Sequence, residues 1–156
     1  MTLPAPGDSL PDIALTAPDD SPVRLSDFKG QKLVLFFYPK DDTPGCTTEN
    51  KDFSALAGDF SAAGTALLGI SKDPPRKHTK FIAKHDLTAP LASDAAEAGL
   101  SDALGFWTEK SMYGRSYMGM VRSTLLIDSA GKVARVWSPV KVKGHAEEVL
   151  AAAQAL

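Results

Sequence analysis

Lys32-Leu33-Val34-Leu35-Phe36-Phe37-Tyr38-Pro39-Lys40-Asp41-Asp42-Thr43-Pro44-Gly45-Cys46-Thr47-Thr48-Glu49 sets an apolar run, a turn and a helix start in direct succession. The run from Lys32 to Tyr38 is too continuous for a half-exposed strand and reads as a central strand covered on both faces. Pro39 ends it. Thr43 is placed to act as an N-cap and Pro44 suits the first helical position, where its missing N–H costs nothing. Phe53, Leu56, Ala57 and Phe60 then mark one helical face. Cys46 lies in the first turn. Seven residues before Phe53 is nearly the same side of the helix, so the sulfur is expected to point inward.

Outward from this stretch the chain alternates strands and helices. The helix is expected to end near Gly64, and Thr65–Ser71 reads as a second core strand, giving a strand, helix and strand in a parallel crossover. Ser71-Lys72-Asp73-Pro74-Pro75 opens a helix bearing Phe81 and Ile82, flanked at the same spacing by His78 and His85. Leu91–Ser93 is a short strand, and Ala95–Leu104 is expected to be helical with a break at Gly99. Phe106–Met120, rich in aromatic and Met residues without period 2 or 3.6, reads as a loop whose Trp107, Met112, Tyr113, Met118 and Met120 are core. Ser123–Asp128 and Lys132–Trp137 flank Ser129-Ala130-Gly131, a hairpin signal. A final helix from His145 to Ala155 would pack Val149, Ala152, Ala153 and Leu156 on one face. On the N-terminal side, residues 3–12 should run extended, Ile13–Leu15 and Val23–Leu25 form a hairpin, and Ser26–Gly30 a helical turn. The class is α/β.

A length of 156 residues suits one domain, spanning 1–156, with a core that needs no disulfide or metal staple. The apolar and charged fractions, 44% and 23%, are ordinary for a globular protein. A formal net charge of −2 gives no support for nucleic-acid or anionic-membrane binding, and Lys141 and Lys143 read as a solvated surface. The start, Met1 to Asp8, has no secretory n-region or apolar core, and no run approaches a membrane span. The single cysteine excludes an internal disulfide. A reducing cytoplasm is the expected setting.

The chemistry centres on Cys46. Burial by itself would make a thiol inert, and a buried structural cysteine is the alternative reading. The first turn of a helix acts the other way, because its unpaired N–H groups and positive dipole end favour a thiolate. His78, His85 and His145 lack metal-ligand spacing with Cys46 and read as core-edge or surface residues. Nothing in the sequence sets one of them beside Cys46, as a Cys-His hydrolase would need.

Pro39-x-x-x-Thr43-x-x-Cys46 resembles the active-site motif of peroxiredoxins, and Phe37 to Glu49 resembles their bacterioferritin comigratory protein (PrxQ) branch. Met112–Gly119, Arg122–Asp128 and Val142–Leu150 extend the resemblance over nearly the whole chain. The resemblance implies a thioredoxin-like fold: a mixed central sheet flanked by helices, with an N-terminal β-hairpin extension. It implies a peroxidase without metal, haem or flavin, in which the Cys46 thiolate attacks the terminal peroxide oxygen and becomes a sulfenic acid. Thr43 and the N–H groups of Gly45 and Cys46 would stabilise the leaving oxygen. Arginine spacing does not choose among the arginines; the resemblance of Arg122–Asp128 assigns the catalytic guanidinium to Arg122. Glu49 would orient it, and Pro39 would shield the site. The stretch Phe106–Met120 would lie toward the site as an apolar wall.

One departure stands out. Many members of this branch carry a resolving cysteine five residues after the first, where this chain has Lys51. Such a residue is rotated by about 140° around the helix, so a disulfide there would require local unwinding. With one cysteine the mechanism must be one-Cys, with an external thiol as reductant. Thioredoxin, glutathione and a glutaredoxin-like protein are equally compatible, and the branch implies a monomer. A redox-signalling module with a slowly oxidised cysteine is the competing class, though it has no need of the full Pro39, Thr43, Cys46 and Arg122 set. A disulfide reductase is disfavoured by the lack of Cys-x-x-Cys.

Overall fold

The computed structural model, which describes residues 3–95 and 99–156, turns the central apolar run into β3 (Lys32–Phe37). It pairs in parallel with β4 (Thr65–Ser71) on one side and antiparallel with β8 (Ser123–Ile127) on the other. Beyond β4 lie β5 (Leu91–Ser93), β1 (Leu15–Thr16) and β2 (Pro22–Val23), and beyond β8 lies β9 (Val133–Trp137). The mixed sheet therefore has the order β2-β1-β5-β4-β3-β8-β9.

Alternation along β3 divides the core between the two faces of this sheet. Val34, Phe36 and Tyr38 pack with Phe53, Phe60, Phe81 and Val149. Those partners come from α1 (Pro44–Ala55), α2 (Ala57–Ala62), α3 (Pro75–His85) and α5 (His145–Ala155). Leu33, Leu35 and Phe37 point the other way, onto Leu15, Phe106, Met120 and Leu100 of the short α4 (Leu100–Ala103). Burial on both faces is why the strand reads as a continuous apolar run.

Close packing at the centre leaves no room at Gly69 of β4. A Cβ there would stand 2.6 Å from both Leu91 Cδ2 and Phe36 Cζ. Gly69→Ala is accordingly expected to cost about 1–3 kcal/mol through overpacking, read as a lowered denaturant midpoint with an unchanged slope. A neutral result would mean that the Leu91 and Phe36 side chains yield more easily than this contact implies.

Several elements depart from the sequence reading. The cysteine helix is interrupted at Leu56, whose N–H makes an i→i+3 bond to Phe53 O at 3.2 Å before α2 resumes. Ser54 is tied sideways there: its hydroxyl accepts the N–H groups of Thr88 and Ala89, and its carbonyl accepts the Thr88 hydroxyl. The N-terminal hairpin is shorter than expected, two residues per strand, and the turn after it is a 3-10 turn over Leu25–Phe28. Of the expected helix over Ala95–Leu104, α4 is the helical part among the described residues; residues 96–98 lie outside them. Asp94 accepts the N–H groups of Leu100 and Ser101 at the start of α4. Leu156, expected on the buried face of α5, is exposed.

The stretch expected to be a loop is a hairpin instead, β6 (Trp107–Met112) and β7 (Arg115–Met120). It forms its own two-stranded sheet. Tyr113 and Gly114 both have positive φ, 53° and 75°, as a tight two-residue hairpin turn requires. Met112, Tyr113 and Met118 are exposed, not core; Met120 is buried and Trp107 half-buried. Solvent on both sides of the outer half removes any reason for apolar and polar residues to alternate, which is why no period of 2 shows.

Candidate active site

Two chain segments meet at the C-terminal end of β3. Tyr38 follows the strand fully buried, the turn Pro39–Thr43 reverses the chain, and α1 begins at Pro44. On the neighbouring strand Phe37 pairs with Ser123, so Arg122, the residue before β8, emerges beside the start of α1. Antiparallel register thus brings together residues 76 positions apart.

Cys46 is 1% exposed and part of the core on the α1 face, as its spacing to Phe53 predicts. Arg122 Nη2 donates to its sulfur at 3.4 Å, while Nη1 donates to Glu49 Oε1 at 2.6 Å. The guanidinium fork therefore spans one turn of α1, from residue 46 to residue 49. Gly45 gives it space, since a Cβ at that position would lie 3.2 Å from Arg122 Nη2. The Arg122 carbonyl accepts the Val140 N–H at 2.9 Å, which fixes the residue's backbone from the other side.

Thr43 departs from its expected role as a side-chain cap. Its backbone has the extended N-cap conformation, and its carbonyl takes the Thr47 N–H at 2.8 Å. Its hydroxyl, however, donates to Lys40 O at 2.8 Å, so it makes no cap bond and its one hydrogen is not left for the leaving oxygen, the role the resemblance implied. Among the described residues no side chain caps α1, so its first-turn N–H groups, including those of Gly45 and Cys46, are left without a side-chain cap. Pro39 is half-buried at the end of the strand.

Electrostatically the site is a buried carboxyl and a half-buried guanidinium against a sulfur. Burial pushes the Glu49 carboxyl up to about 7, more than Arg122 pulls it down, and its second oxygen is buried without a partner among the described residues. Burial works to lower the Arg122 pKa, but Glu49 and the sulfur outweigh it and hold it above its ordinary value. A carboxyl raised in the folded state binds a proton there that the unfolded chain has lost, so its contribution is present below about pH 4.5 and disappears as pH rises through 7. Unfolding free energy measured from pH 5 to 8 should fall more steeply for the wild type than for Glu49→Gln, the gap approaching about 3 kcal/mol. Parallel profiles would mean that Arg122 already keeps the carboxylate ionised.

The turn itself is bolted to α3 by a buried polar network. Asp41 accepts the Tyr38 hydroxyl and the His78 Nδ1–H, each at 2.6 Å, and its N–H donates to Asp73 at 2.8 Å. Burial first, and Asp41 second, raise the Tyr38 hydroxyl well above its ordinary pKa, so it stays a donor. Asp42, in the left-handed region, accepts from Lys84 and His85, and these hold its carboxyl below the usual range, His85 foremost. The histidines thus bond to Asp41, Asp42 and, for His145, Thr124; Cys46 takes its hydrogen bond from Arg122. His78 lies fully inside the core, deeper than its place at the edge of an apolar stripe suggests. Nothing about Asp41 or Asp73 in the sequence pointed to this network, apart from the helical spacing of His78 and His85. Asn50, which donates to Cys46 O at 2.9 Å, was likewise silent. A cavity of about 330 Å³ lined by Leu10, Phe28, Leu33 and Ile127 sits at the opposite end of β3 and takes no part.

The sequence profile of the AhpC/TSA family matches residues 6–136. Peroxiredoxin Bcp of Xanthomonas campestris pv. campestris is 45% identical over 144 residues, covering 92% of this chain and 89% of the relative. Its Bacillus subtilis counterpart is 44% identical over 144 residues, covering 92% and 91%. Among solved structures, a variant of Xylella fastidiosa PrxQ superposes with a TM-score of 0.92 at 39% identity, covering 99% of this chain and 98% of that one. The Xanthomonas campestris bacterioferritin comigratory protein, solved as trapped intermediate and ligand complexes in connection with its alkyl peroxide reduction activity, superposes at 0.87 with 41% identity, covering 95% and 98%. The mixed sheet flanked by helices is the thioredoxin-like fold that the resemblance implied. No helix among the described residues is long and apolar enough to cross a membrane. The chain belongs to the AhpC/TSA family and, within it, to the Bcp/PrxQ peroxiredoxins, enzymes that reduce peroxides with electrons from a thiol.

Proposed function

We propose that this chain, one domain over 1–156, is a one-Cys peroxidase in which Cys46 is the nucleophile, acting on hydrogen peroxide and organic hydroperoxides. The observation that carries the reading is the Arg122 fork, one arm on the Cys46 sulfur at 3.4 Å and the other on Glu49 at 2.6 Å. A cation in that position stabilises negative charge first on the thiolate and then on the departing oxygen. The sulfur attacks the terminal oxygen, the S–O bond forms as the O–O bond breaks, and the leaving hydroxide or alkoxide takes up a proton to give water or an alcohol. Sulfur is oxidised by two electrons to the sulfenic acid, and the peroxide is reduced by two.

The other residues have separable parts. With its hydrogen committed to Lys40 O, Thr43 offers lone pairs that accept the hydroperoxide O–H. The uncapped N–H groups of Gly45 and Cys46 face the leaving oxygen, Glu49 orients Arg122, and Pro39 shields the sulfur. The alkyl peroxide activity named for the Xanthomonas relative supports organic hydroperoxides as substrates.

Cys46 is the sole cysteine, and Lys51 occupies the place five residues on. An external thiol must then attack the sulfenic acid, releasing water and leaving a mixed disulfide, and a second thiol regenerates Cys46. Thioredoxin, glutathione and a glutaredoxin-like protein are candidates, a reducing cytoplasm is the compartment that supplies them, and the enzyme is expected to act as a monomer. Without a second cysteine to trap it, the sulfenic acid is exposed to further oxidation. Repeated peroxide without added thiol is expected to convert Cys46 to sulfinic acid, seen by mass spectrometry; a persistently reversible Cys46 would point to a protecting step outside this scheme.

The test is stopped-flow oxidation of the reduced protein, followed by tryptophan fluorescence. Wild type should react orders of magnitude faster than free cysteine, and Cys46→Ser should show no reaction. A rate like that of free cysteine would favour the signalling module instead.

A further inference from the structure

We infer that Asp73 is a positioning residue for peroxide reduction, acting through the Lys40–Asp41 peptide on Thr43. The inference rests on the reading that places Thr43 at the reacting centre. Asp73 lies just after β4, is 8% exposed, and takes no part in the scheme above. Its Oδ2 accepts the Asp41 N–H at 2.8 Å and the Ser71 hydroxyl at 2.7 Å, and its own N–H returns to Ser71 Oγ at 3.1 Å. The carboxylate is therefore locked to the end of the sheet before it meets the turn.

The Asp41 N–H and the Lys40 C=O belong to one planar trans peptide and point in opposite directions. Drawing the N–H to Asp73 aims the Lys40 carbonyl away from it, and that carbonyl accepts the Thr43 hydroxyl at 2.8 Å. A hydroxyl has a single hydrogen; once this is given to Lys40, the remaining capacity of Thr43 is as an acceptor. The Asp41 side chain, held by Tyr38 and His78, fixes where the residue sits. Asp73 fixes the rotation of the peptide before it. Release of that N–H frees the peptide to rotate, and Thr43 then keeps its hydroxyl but loses the direction in which it presents its oxygen.

A double-mutant cycle reads this directly. Stopped-flow oxidation is measured for wild type, Thr43→Val, Asp73→Ala and the double variant, with near-UV circular dichroism to establish folding. Asp73→Ala is expected to slow the wild type by about 10- to 100-fold, the scale of a misplaced reacting group, and to have no further effect on Thr43→Val. Asp73→Asn retains an oxygen for both donors and should react close to wild type. If Asp73→Ala does not fold, Asp73→Glu takes its place in the cycle; it keeps the charge but sets the carboxylate one methylene further out. The role is overturned if the two effects multiply, if Asp73→Asn is as slow as Asp73→Ala, or if either Thr43→Val or the Asp73 variant reacts like wild type. A wild type no faster than free cysteine sinks the peroxidase reading itself, whereas a fast wild type with multiplying effects sinks only Asp73.

Discussion

Arg122→Ala is expected to slow the reaction of Cys46 with hydrogen peroxide by about 100- to 1,000-fold, the usual loss when one preorganised donor to a developing oxyanion is removed. The geometry gives this residue two contacts at once, to the sulfur and to Glu49. Arg122→Lys should recover little of the rate, because an ammonium is a single point charge and cannot bridge both partners as the planar fork does. Glu49 would be left buried without its cation in the alanine variant. Its carboxyl is already pushed up to about 7 by burial, so it escapes by taking a proton and the fold survives. The rate loss should therefore appear in a folded protein. Stopped-flow rates over a peroxide series measure it, and a loss below about tenfold would mean that the first-turn N–H groups carry the oxyanion without the guanidinium.

Phe53→Ala should show the largest loss of stability among single core changes, about 3–5 kcal/mol. Phe53 is fully buried and stacks on Phe36 of β3 with ring centroids 4.4 Å apart. It also meets Phe60 at 5.9 Å and the edge of His145 at 6.0 Å. One side chain thus joins the cysteine helix to the central strand, to α2 and to the start of α5. For a chain of this length the melting temperature should drop by about 2–4 °C per kcal/mol. Because Cys46 sits seven residues earlier on the same face, the alanine variant should also lose reactivity as α1 loosens, while Phe53→Leu should be milder in both respects. A loss under about 1 kcal/mol would mean that the cavity collapses and that α1 is held mainly by other contacts.

Much of this was legible in the chain. The run from Lys32 to Tyr38, the Pro44 helix start and the period from Cys46 to Phe53 are local patterns, and local sterics and hydrogen bonding suffice to read them. The order of strands and helices likewise fixed the α/β class, and a buried Cys46 followed from spacing alone. The β6–β7 hairpin leaves no such pattern, since its outer half buries nothing and its turn uses Tyr113 at positive φ, where Asn or Asp is the usual signal. Residue type marks Thr43 as a cap, but an acceptor three residues earlier, Lys40 O, takes its hydroxyl.

By itself, then, the sequence determined the elements, the lone nucleophile at a helix start and, through the resemblance of its motifs, the family. How an arginine reaches the sulfur was decided only by tertiary structure. Spacing along the chain leaves every arginine open and the motif resemblance names Arg122, but it is the register of Phe37 against Ser123 that carries this residue to the start of α1. The same holds for the anchoring of the turn by Asp41, His78 and Asp73, residues tens of positions apart. Local patterns arise from interactions within a turn or two of chain. A site assembled across strands depends on sheet register and buried hydrogen bonding, which exist only once the chain has closed on itself.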